Sequence, residues 1–482
     1  MFMHSSRTWL TALSLLLLLA AAVRATVWWA HDPLLAYANN YDQIRTMAVL
    51  GVRPDAPGLA DLDGGTPEQP WARFKTGLGW RMPFYPSSDT AIRAVVHVGS
   101  GLWRPGGSTM DIRQESAWLL AAWLLGVAWI GWRLLGLNAW HGLGFAAWVL
   151  LVTDPINLLF LNTWYAEFSA FACVTGLVGL GWLWLAGYRK RWVVGGWMLA
   201  LLLVLATNRQ QYVYLPLALL PLAWLAGRKS PRRRGLAAAA AAVAAVPLLL
   251  FSGDFAHVKD NARANRVDTV LGAMLPAASD PASMVRNLRL QPACLQFAGD
   301  TWYTQSRAVL EAACPRIMNL PLRRMLFALA ADPAALARMV WRATNEGQGF
   351  VLSHLGQVQG GRSTQIAELD GVTARSVDEL LRALPRPLWR VLVLGGLVLP
   401  ALLAVWAARQ RKAGWPTALW ALEIAVLYVF FSSLLGDGYV EIQRHAVLCY
   451  SLGCLSLTAL FGAAMHHAVP APSPNQPSGF VP

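Results

Sequence analysis

The chain contains 482 residues, of which 56% are hydrophobic, only 14% are charged and 24 are Trp. Soluble domains are about a quarter charged, so this composition excludes a soluble enzyme, a disordered protein and a disulfide-stapled miniprotein. The formal net charge is +14. The basic residues fall in short clusters between long apolar runs, which is typical of a polytopic membrane protein and not of a nucleic-acid-binding protein.

About ten apolar runs approach the length of roughly 17–25 residues that a bilayer requires. They lie near residues 9–30, 116–136, 139–158, 168–187, 193–208, 212–227, 235–252, 388–408, 416–435 and 446–465. We therefore predict an all-α polytopic membrane protein with about ten transmembrane helices. The first run is either an uncleaved anchor, which we favour because Arg24 fits poorly before a cleavage site, or a signal peptide.

A cytoplasmic N-terminus places basic clusters such as 189–191, 228–234 and 409–412 in the inner loops, which contain no Asp or Glu. Short inner loops rich in Lys and Arg obey the positive-inside rule. The predicted location is a bacterial inner membrane with two large periplasmic loops. The predicted units are a first transmembrane helix (1–30), a first periplasmic loop (31–115), helices 2–7 (116–252), a second periplasmic loop (253–387), helices 8–10 (388–465) and a disordered tail (466–482).

The second loop contains a predicted helix pair, in which Leu322, Leu326 and Leu329 share one face of the first helix. Asp332 and Pro333 are suited to cap and begin the second helix. The pair forms either a packed loop core or a helix on the membrane surface. Cys294 and Cys314 also lie in this loop, and in an oxidising periplasm they are expected to form a disulfide; the alternative is two buried thiols.

Ionisable and polar residues collect at the predicted outer ends of the spans. They are Asn40, Asp42 and Arg45 after span one, Asp154, Asn162, Tyr165 and Glu167 between spans three and four, Arg209 and Gln210 between spans five and six, and Asp437, Glu441, Arg444 and His445 between spans nine and ten. Charged groups at membrane depth are costly and tend to be functional. We predict that they form one site at the lipid–water boundary, suited to a lipid-linked substrate.

Asp42 and Glu167 are the candidate catalytic carboxylates. Asp42 could act as a general base toward an acceptor hydroxyl, or it could cap a loop helix and pair with Arg45 three residues later. Around the helix break at Asp154, the residues Asn162, Tyr165 and Glu167 could bind sugar hydroxyls or form an ordinary polar turn.

Arg209, with Gln210, is suited to bind a phosphate, because a guanidinium is planar and permanently charged. The alternative is an arginine that extends to the membrane interface. Glu441 and His445 are spaced four residues apart, but too few further ligands are present for a metal site. A network that orients Arg444 toward phosphate is favoured, and no metal or cofactor is predicted.

With these residues in view, the chain resembles the GT-C class of integral-membrane glycosyltransferases, and within it the bacterial hexose transferases of surface-glycan biosynthesis. The matching stretches are Asn39–Arg45, Asn162–Glu167, Arg209–Gln210 and Asp437–His445. The resemblance implies a polyprenyl-phosphate-sugar donor, a glycan or lipid acceptor, transfer on the periplasmic side and inversion at C1. It places the general base at Asp42. Members often have a pair of acidic residues in that loop, whereas this chain has Asp42 alone, with Asp32 ten residues earlier.

Two other functions remain open at this point. An O-antigen ligase or polymerase also carries a large outer loop late in the chain. A lipid-linked glycan transporter would have its site near mid-membrane, where Glu423 in the ninth span is the one ionisable candidate. The expected partners are a polyprenyl-phosphate-linked sugar, an acceptor glycan or lipid and membrane lipids, with no nucleic acid.

Overall fold

The structure is a computed structural model. It describes residues 2–38, 41–55, 68–77, 87–102, 108–227, 231–251, 256–360, 365–366, 376–410 and 414–468. Within this part of the chain the architecture is almost entirely helical. The predicted tail, 466–482, falls largely outside the described residues, as does Asn40.

The helices follow one another along the chain with few strands between them. They are α1 (Phe2–Ala30), α2 (Tyr41–Leu50), α3 (Ser88–Gly99), α4 (Ile112–Leu137), α5 (Ala139–Val152), α6 (Pro155–Leu158), α7 (Glu167–Leu185), α8 (Arg191–Asn208), α9 (Leu215–Gly227), α10 (Pro231–Phe251), α11 (Ala256–Val267), α12 (Leu275–Ala277), α13 (Pro281–Leu288), α14 (Arg307–Ala313), α15 (Leu322–Ala331), α16 (Pro333–Glu346), α17 (Val377–Ala383), α18 (Arg386–Arg409), α19 (Trp415–Asp437), α20 (Ile442–His445) and α21 (Val447–Ala468). A π-helical segment spans Asp268–Met274, and 3-10 turns span Gln210–Tyr212, Pro292–Phe297 and Pro315–Asn319.

Six described helices are long and apolar enough to cross a membrane, which confirms the multi-pass character of the chain. They are α1, α4, α7, α8, α18 and α19. The other predicted spans coincide with α5, α9, α10 and α21. That these four also cross the bilayer, and the orientation of the whole bundle, stay predictions.

The apolar helices form a continuous series of pairwise contacts, and the last helix of the series packs against one of the first. Helix α1 contacts α4 and α5, α4 contacts α7, and α7 continues through α8, α10 and α9 to α19. Helix α19 packs on α18 and α21, and α21 returns to α5. Trp148, on α5, is fully buried and donates its indole N–H to the Ser451 carbonyl in α21 at 2.9 Å. Because every apolar helix has neighbours on two sides, the connections at one end of the bundle are brought close together.

The first long connection, residues 31–111, contains α2, α3 and a small antiparallel sheet that the sequence patterns do not predict. Its strands are β1 (Arg53–Pro54), β2 (Arg73–Thr76) and β3 (Ser108–Asp111), in the order β1-β2-β3. Arg53 pairs with Lys75, and Phe74 pairs with Met110. The strands are too short to show the alternation that identifies a strand from sequence.

The second long connection, residues 252–385, contains α11–α17. The predicted helix boundary at Asp332 is confirmed, since its carboxylate accepts a hydrogen bond from the Ala335 amide at 3.0 Å and Pro333 begins α16. The three leucines predicted to share a helix face all lie in α15, but their burial differs: Leu329 is buried together with Met325, whereas Leu322 and Leu326 are exposed. The predicted pairing of Cys294 with Cys314 is confirmed, with their Cα atoms 5.2 Å apart.

Candidate functional site

Arg444 lies at the centre of a group of charged side chains at one end of the bundle. It is almost completely buried and forms ion pairs with Asp42 and Glu441, the latter at 2.7 Å, while its Nε lies 3.6 Å from Glu167. Its guanidinium also lies over the ring of Tyr165, 5.1 Å from the centroid. A guanidinium can contact several carboxylates at once because its donors form a rigid planar fork.

Two backbone features direct Glu441 toward this arginine. Glu441 has a φ of 46°, and Gly438 before it has a φ of 61°. A Cβ atom on Gly438 would lie 2.6 Å from the carbonyl oxygen of Asp268, so only glycine fits at this position. A positive φ is uncommon for a residue other than glycine, and such strain concentrates at functional sites. The turn thus brings Glu441 and Arg444 to the same side, and His354 of the second long connection contacts Glu441 at 3.2 Å.

Asp42 lies in the first turn of α2 and contacts two arginines. It pairs with Arg45 at 2.8 Å, as the local alternative predicts, and with Arg444 from the other end of the chain. Burial alone would raise the pKa of Asp42, but the guanidinium groups of Arg444 and Arg45 outweigh it and hold the pKa well below its usual range. Asp42 is therefore a carboxylate at every physiological pH.

Glu167 and Arg209 join the group from the start of α7 and the turn after α8. Arg209 donates to Oε1 of Glu167, and this oxygen also faces Arg444. The other oxygen, Oε2, is buried and has no hydrogen-bond partner among the described residues. We name these six side chains the Arg444 cluster: Asp42, Arg45, Glu167, Arg209, Glu441 and Arg444. With three carboxylates and three guanidinium groups, its formal charge is zero.

A cavity of about 30 Å³ borders the cluster, lined by Asp42, Tyr165, Glu167 and Arg209 among others. It can hold water but is far smaller than the roughly 300–1,000 Å³ of a small-ligand pocket. The phenol oxygen of Tyr165 is buried and has no hydrogen-bond partner among the described residues. Burial raises the pKa of Tyr165, so the phenol stays protonated and can donate a hydrogen bond. A ligand would have to displace ion pairs to enter.

A second group of polar side chains borders the cluster. His445 Nε2 lies 2.9 Å from an oxygen of Asp437. Gln211 donates a hydrogen bond to the His445 carbonyl at 2.7 Å. Gln210, a predicted site residue, makes no side-chain hydrogen bond with the described residues. The contact between Asp437 and His445 shapes the turn that carries Arg444. Burial and the nearby charge of Asp437 also raise the pKa of Asp268 to about 7.

Two predicted site residues, Asp154 and Asn162, have their partners outside the Arg444 cluster. Asp154 pairs with Arg24 of α1 at 2.9 Å and accepts a hydrogen bond from the Val377 amide at 3.0 Å. Asn162 accepts from the Ser116 hydroxyl at 2.6 Å and donates to the Trp29 carbonyl at 3.2 Å. These contacts join helices and do not face the cluster cavity. Roles in sugar binding stay predictions for both residues.

A buried polar network that the sequence analysis missed supports the cluster by contacting the segment that carries Tyr165. Arg93 of α3 is fully buried and contacts Asp89 at 2.9 Å, Glu115 at 2.7 Å and the carbonyl of Tyr165 at 3.0 Å. His97 lies 2.6 Å from the second oxygen of Glu115. We name it the Arg93 network; it also includes Ser169 and Asn208, which link Asp89 to the start of α7 and the end of α8.

The spacing of Asp89, Arg93 and His97 is the signal that could have identified this network. Residues four apart share a helix face, and a face bearing only ionisable groups needs buried partners if it packs inward. Glu115, in the first turn of α4, is that partner. Because Arg93 also binds the Tyr165 backbone, the network fixes the segment that carries Tyr165 and Glu167.

The described residues contain no group of three or more His, Cys, Asp or Glu side chains arranged to hold a metal ion. No family model, curated protein or solved structure matches this chain.

Proposed function

We propose that this protein is a membrane glycosyltransferase that moves a sugar from a polyprenyl-phosphate donor to an envelope glycan or lipid acceptor. The observation that carries the proposal is the contact of the buried Arg444 with both Asp42 and Glu441, which joins a base candidate to a phosphate-binding candidate inside one cluster. The cluster lies where α7 begins and α8 and α19 end, so its ligand is reached at the boundary of the apolar bundle.

Arg444 and Arg209 are the groups that would hold the donor phosphate. As the bond to the sugar breaks, the phosphate gains negative charge, and a fixed cation in a dry site stabilises that transition state. In the structure both guanidinium groups are neutralised by carboxylates. A phosphate can therefore bind only by taking over some of those contacts.

This exchange gives Asp42 its proposed role as general base. While Arg444 and Arg45 contact it, its low pKa makes it a weak proton acceptor. A phosphate that draws Arg444 away removes one of the two cations, which raises the basicity of Asp42. The base would then take the proton of the acceptor hydroxyl as its oxygen attacks C1, and the phosphate would leave with the electron pair of the broken bond. Donor binding and base activation are thereby coupled.

Glu167 and Tyr165 would bind the sugar. Glu167 keeps one buried oxygen without a partner among the described residues, Tyr165 has a protonated phenol, and both residues line the cavity. An acceptor and a donor on neighbouring residues suit the hydroxyls of a sugar ring, which both donate and accept hydrogen bonds. Glu167 in addition holds Arg209 in place through its other oxygen.

Glu423 gives no support to a transporter. The carboxylate of Glu423 in α19 accepts a hydrogen bond from the Ala401 amide in α18 at 3.1 Å. Ala401 follows Pro400, which interrupts the hydrogen bonding of that helix. Glu423 therefore repairs a helix break instead of lining a substrate path.

The deciding experiment uses the purified full-length protein in nanodiscs with a panel of polyprenyl-phosphate sugars. Release of polyprenyl phosphate is measured with and without envelope glycolipid extracts as acceptor. We expect Asp42→Asn to abolish release, while Asp32→Asn, a carboxylate on the same connection that is exposed and 3.7 Å from Arg113, keeps the wild-type rate. Movement of intact donor between leaflets without release would show a transporter. A deletion strain with altered glycan chain length but unchanged decoration would show a polymerase or ligase.

A further inference from the structure

A cleft of about 460 Å³ lies in the second long connection, away from the Arg444 cluster. Arg289, Arg316 and Arg324 line it together with Asn319, and the remaining lining residues described are leucines and prolines. Its volume falls in the range of small-ligand pockets, roughly 300–1,000 Å³. We name it the arginine cleft.

No described carboxylate lines this cleft or pairs with its three arginines. The Arg316 side chain donates a hydrogen bond to the backbone carbonyl of Arg289 at 3.3 Å. Other arginines of the same connection have acidic partners, as Arg307 has with Glu311 at 2.8 Å. Three like charges around one cavity repel each other, and an anion in the cavity would relieve that repulsion.

Two of the three arginines occupy backbone positions that are unfavourable for them. Arg324 lies in the first turn of α15, where the partial positive charge of the helix end makes a cation unfavourable. Arg289 ends α13 with a φ of 57°, a left-handed conformation that Asn or Gly adopts more readily. Cys314 precedes Pro315 of the cleft wall, and the disulfide to Cys294 therefore fixes the position of Arg316. Stability alone would favour neither a cation at the start of α15 nor an arginine in a left-handed conformation at the end of α13.

Exposed apolar side chains adjoin the arginines on α15. Leu322, Leu326 and Phe327 are 47%, 46% and 69% exposed. Helix α15 packs on α16, which contacts the membrane-spanning helix α18. A basic helix with apolar residues on its exposed side is typical of one that lies in the membrane interface.

We infer that the arginine cleft binds the phosphate group of an anionic membrane lipid, while the exposed face of α15 rests among the acyl chains. The arginines supply charge-assisted hydrogen bonds to the phosphate oxygens, and the apolar residues favour a lipid over a soluble phosphate. This inference does not depend on the transferase proposal, because it concerns a different cavity.

The test measures binding of fluorescent phosphatidylglycerol to the full-length protein in a neutral detergent, with fluorescent phosphatidylcholine as the reference lipid. We expect wild type to prefer phosphatidylglycerol. The pair Arg316→Gln and Arg324→Gln should weaken its binding about tenfold, the effect of losing about 1.4 kcal/mol of charged contacts. The matched pair Arg286→Gln and Arg307→Gln, on the same connection but outside both the cleft and α15, should change it less than about twofold.

Arg289→Asn provides a second variant that keeps the backbone, because Asn tolerates the left-handed conformation. It should also weaken phosphatidylglycerol binding, with an unchanged melting temperature. Equal losses in the cleft and control pairs would overturn the inference in favour of general surface charge. Competition by inorganic phosphate as effective as by the lipid, at constant ionic strength, would overturn it in favour of a soluble ligand.

Discussion

Arg444 contacts Asp42 although almost the whole chain separates them. The pair closes the end of the helix bundle, since Asp42 follows α1 and Arg444 precedes α21. In the structure each neutralises the other, and the proposed reaction requires them to part.

Arg444→Lys should lower the transfer rate by about 10²-fold or more, with a smaller effect on stability. Lysine keeps the charge but has neither the planar fork that contacts Asp42 and Glu441 together nor the surface that lies over Tyr165. Transfer rates and melting temperatures of purified protein measure the two effects. Arg45→Lys is the matched control, because Arg45 is more exposed and pairs with Asp42 at 2.8 Å; equal rate losses in both variants would contradict the central role of Arg444.

Tyr165→Phe should leave the melting temperature unchanged or slightly raised while it lowers transfer about tenfold. The phenol oxygen has no hydrogen-bond partner among the described residues, so its removal leaves no group unsatisfied. Tyr37→Phe is the control, because the Tyr37 oxygen accepts a hydrogen bond from the Leu352 amide at 3.0 Å. Losing that acceptor should destabilise the protein by about 1–3 kcal/mol. Full activity in Tyr165→Phe would exclude its hydroxyl from substrate binding.

Arg93→Met should destabilise the protein by about 3–5 kcal/mol, because it leaves Asp89 and Glu115 buried without their cation. Adding Asp89→Leu and Glu115→Leu to that variant should recover much of the loss, since apolar side chains need no charged partner. Thermal unfolding of the single and triple variants measures this. No recovery in the triple variant would mean that the Arg93 network is needed for packing geometry and not only for charge balance.

Much of the fold and part of the candidate site could be predicted from the sequence. The apolar runs mark the helices of the bundle, and ionisable residues at the ends of these runs, such as Asp42 and Arg444, must meet if the ends are neighbours. The Arg93 network could not be found in this way, because it depends on α3 folding back against the bundle. Asp154 and Asn162 have the composition of a site, but their polar atoms are taken up by Arg24, Ser116 and backbone groups. Polarity alone does not distinguish a binding group from one that joins helices.

The stability of the protein should fall as the pH rises from about 4 to about 7 through the titration of Asp268. Burial and the charge of Asp437 raise its folded pKa from 3.8 to about 7. Between these values the folded state holds a proton that the unfolded state has released, so each step up in pH favours unfolding, and the contribution levels off above the folded pKa.

Asp268→Asn imitates the protonated carboxyl and can still accept the hydrogen bond that the Trp302 amide donates at 2.6 Å. Melting temperatures of this variant and of wild type should therefore agree near pH 4, and the variant should be the more stable at pH 8. Comparing the two proteins at each pH cancels the contributions of the titratable groups that both share. Asp437→Asn should make the divergence smaller and end it at a lower pH, because removing the charge that opposes ionisation of Asp268 lowers the folded pKa of Asp268. Parallel curves for Asp268→Asn and wild type would show that Asp268 is already ionised in the folded protein at pH 4.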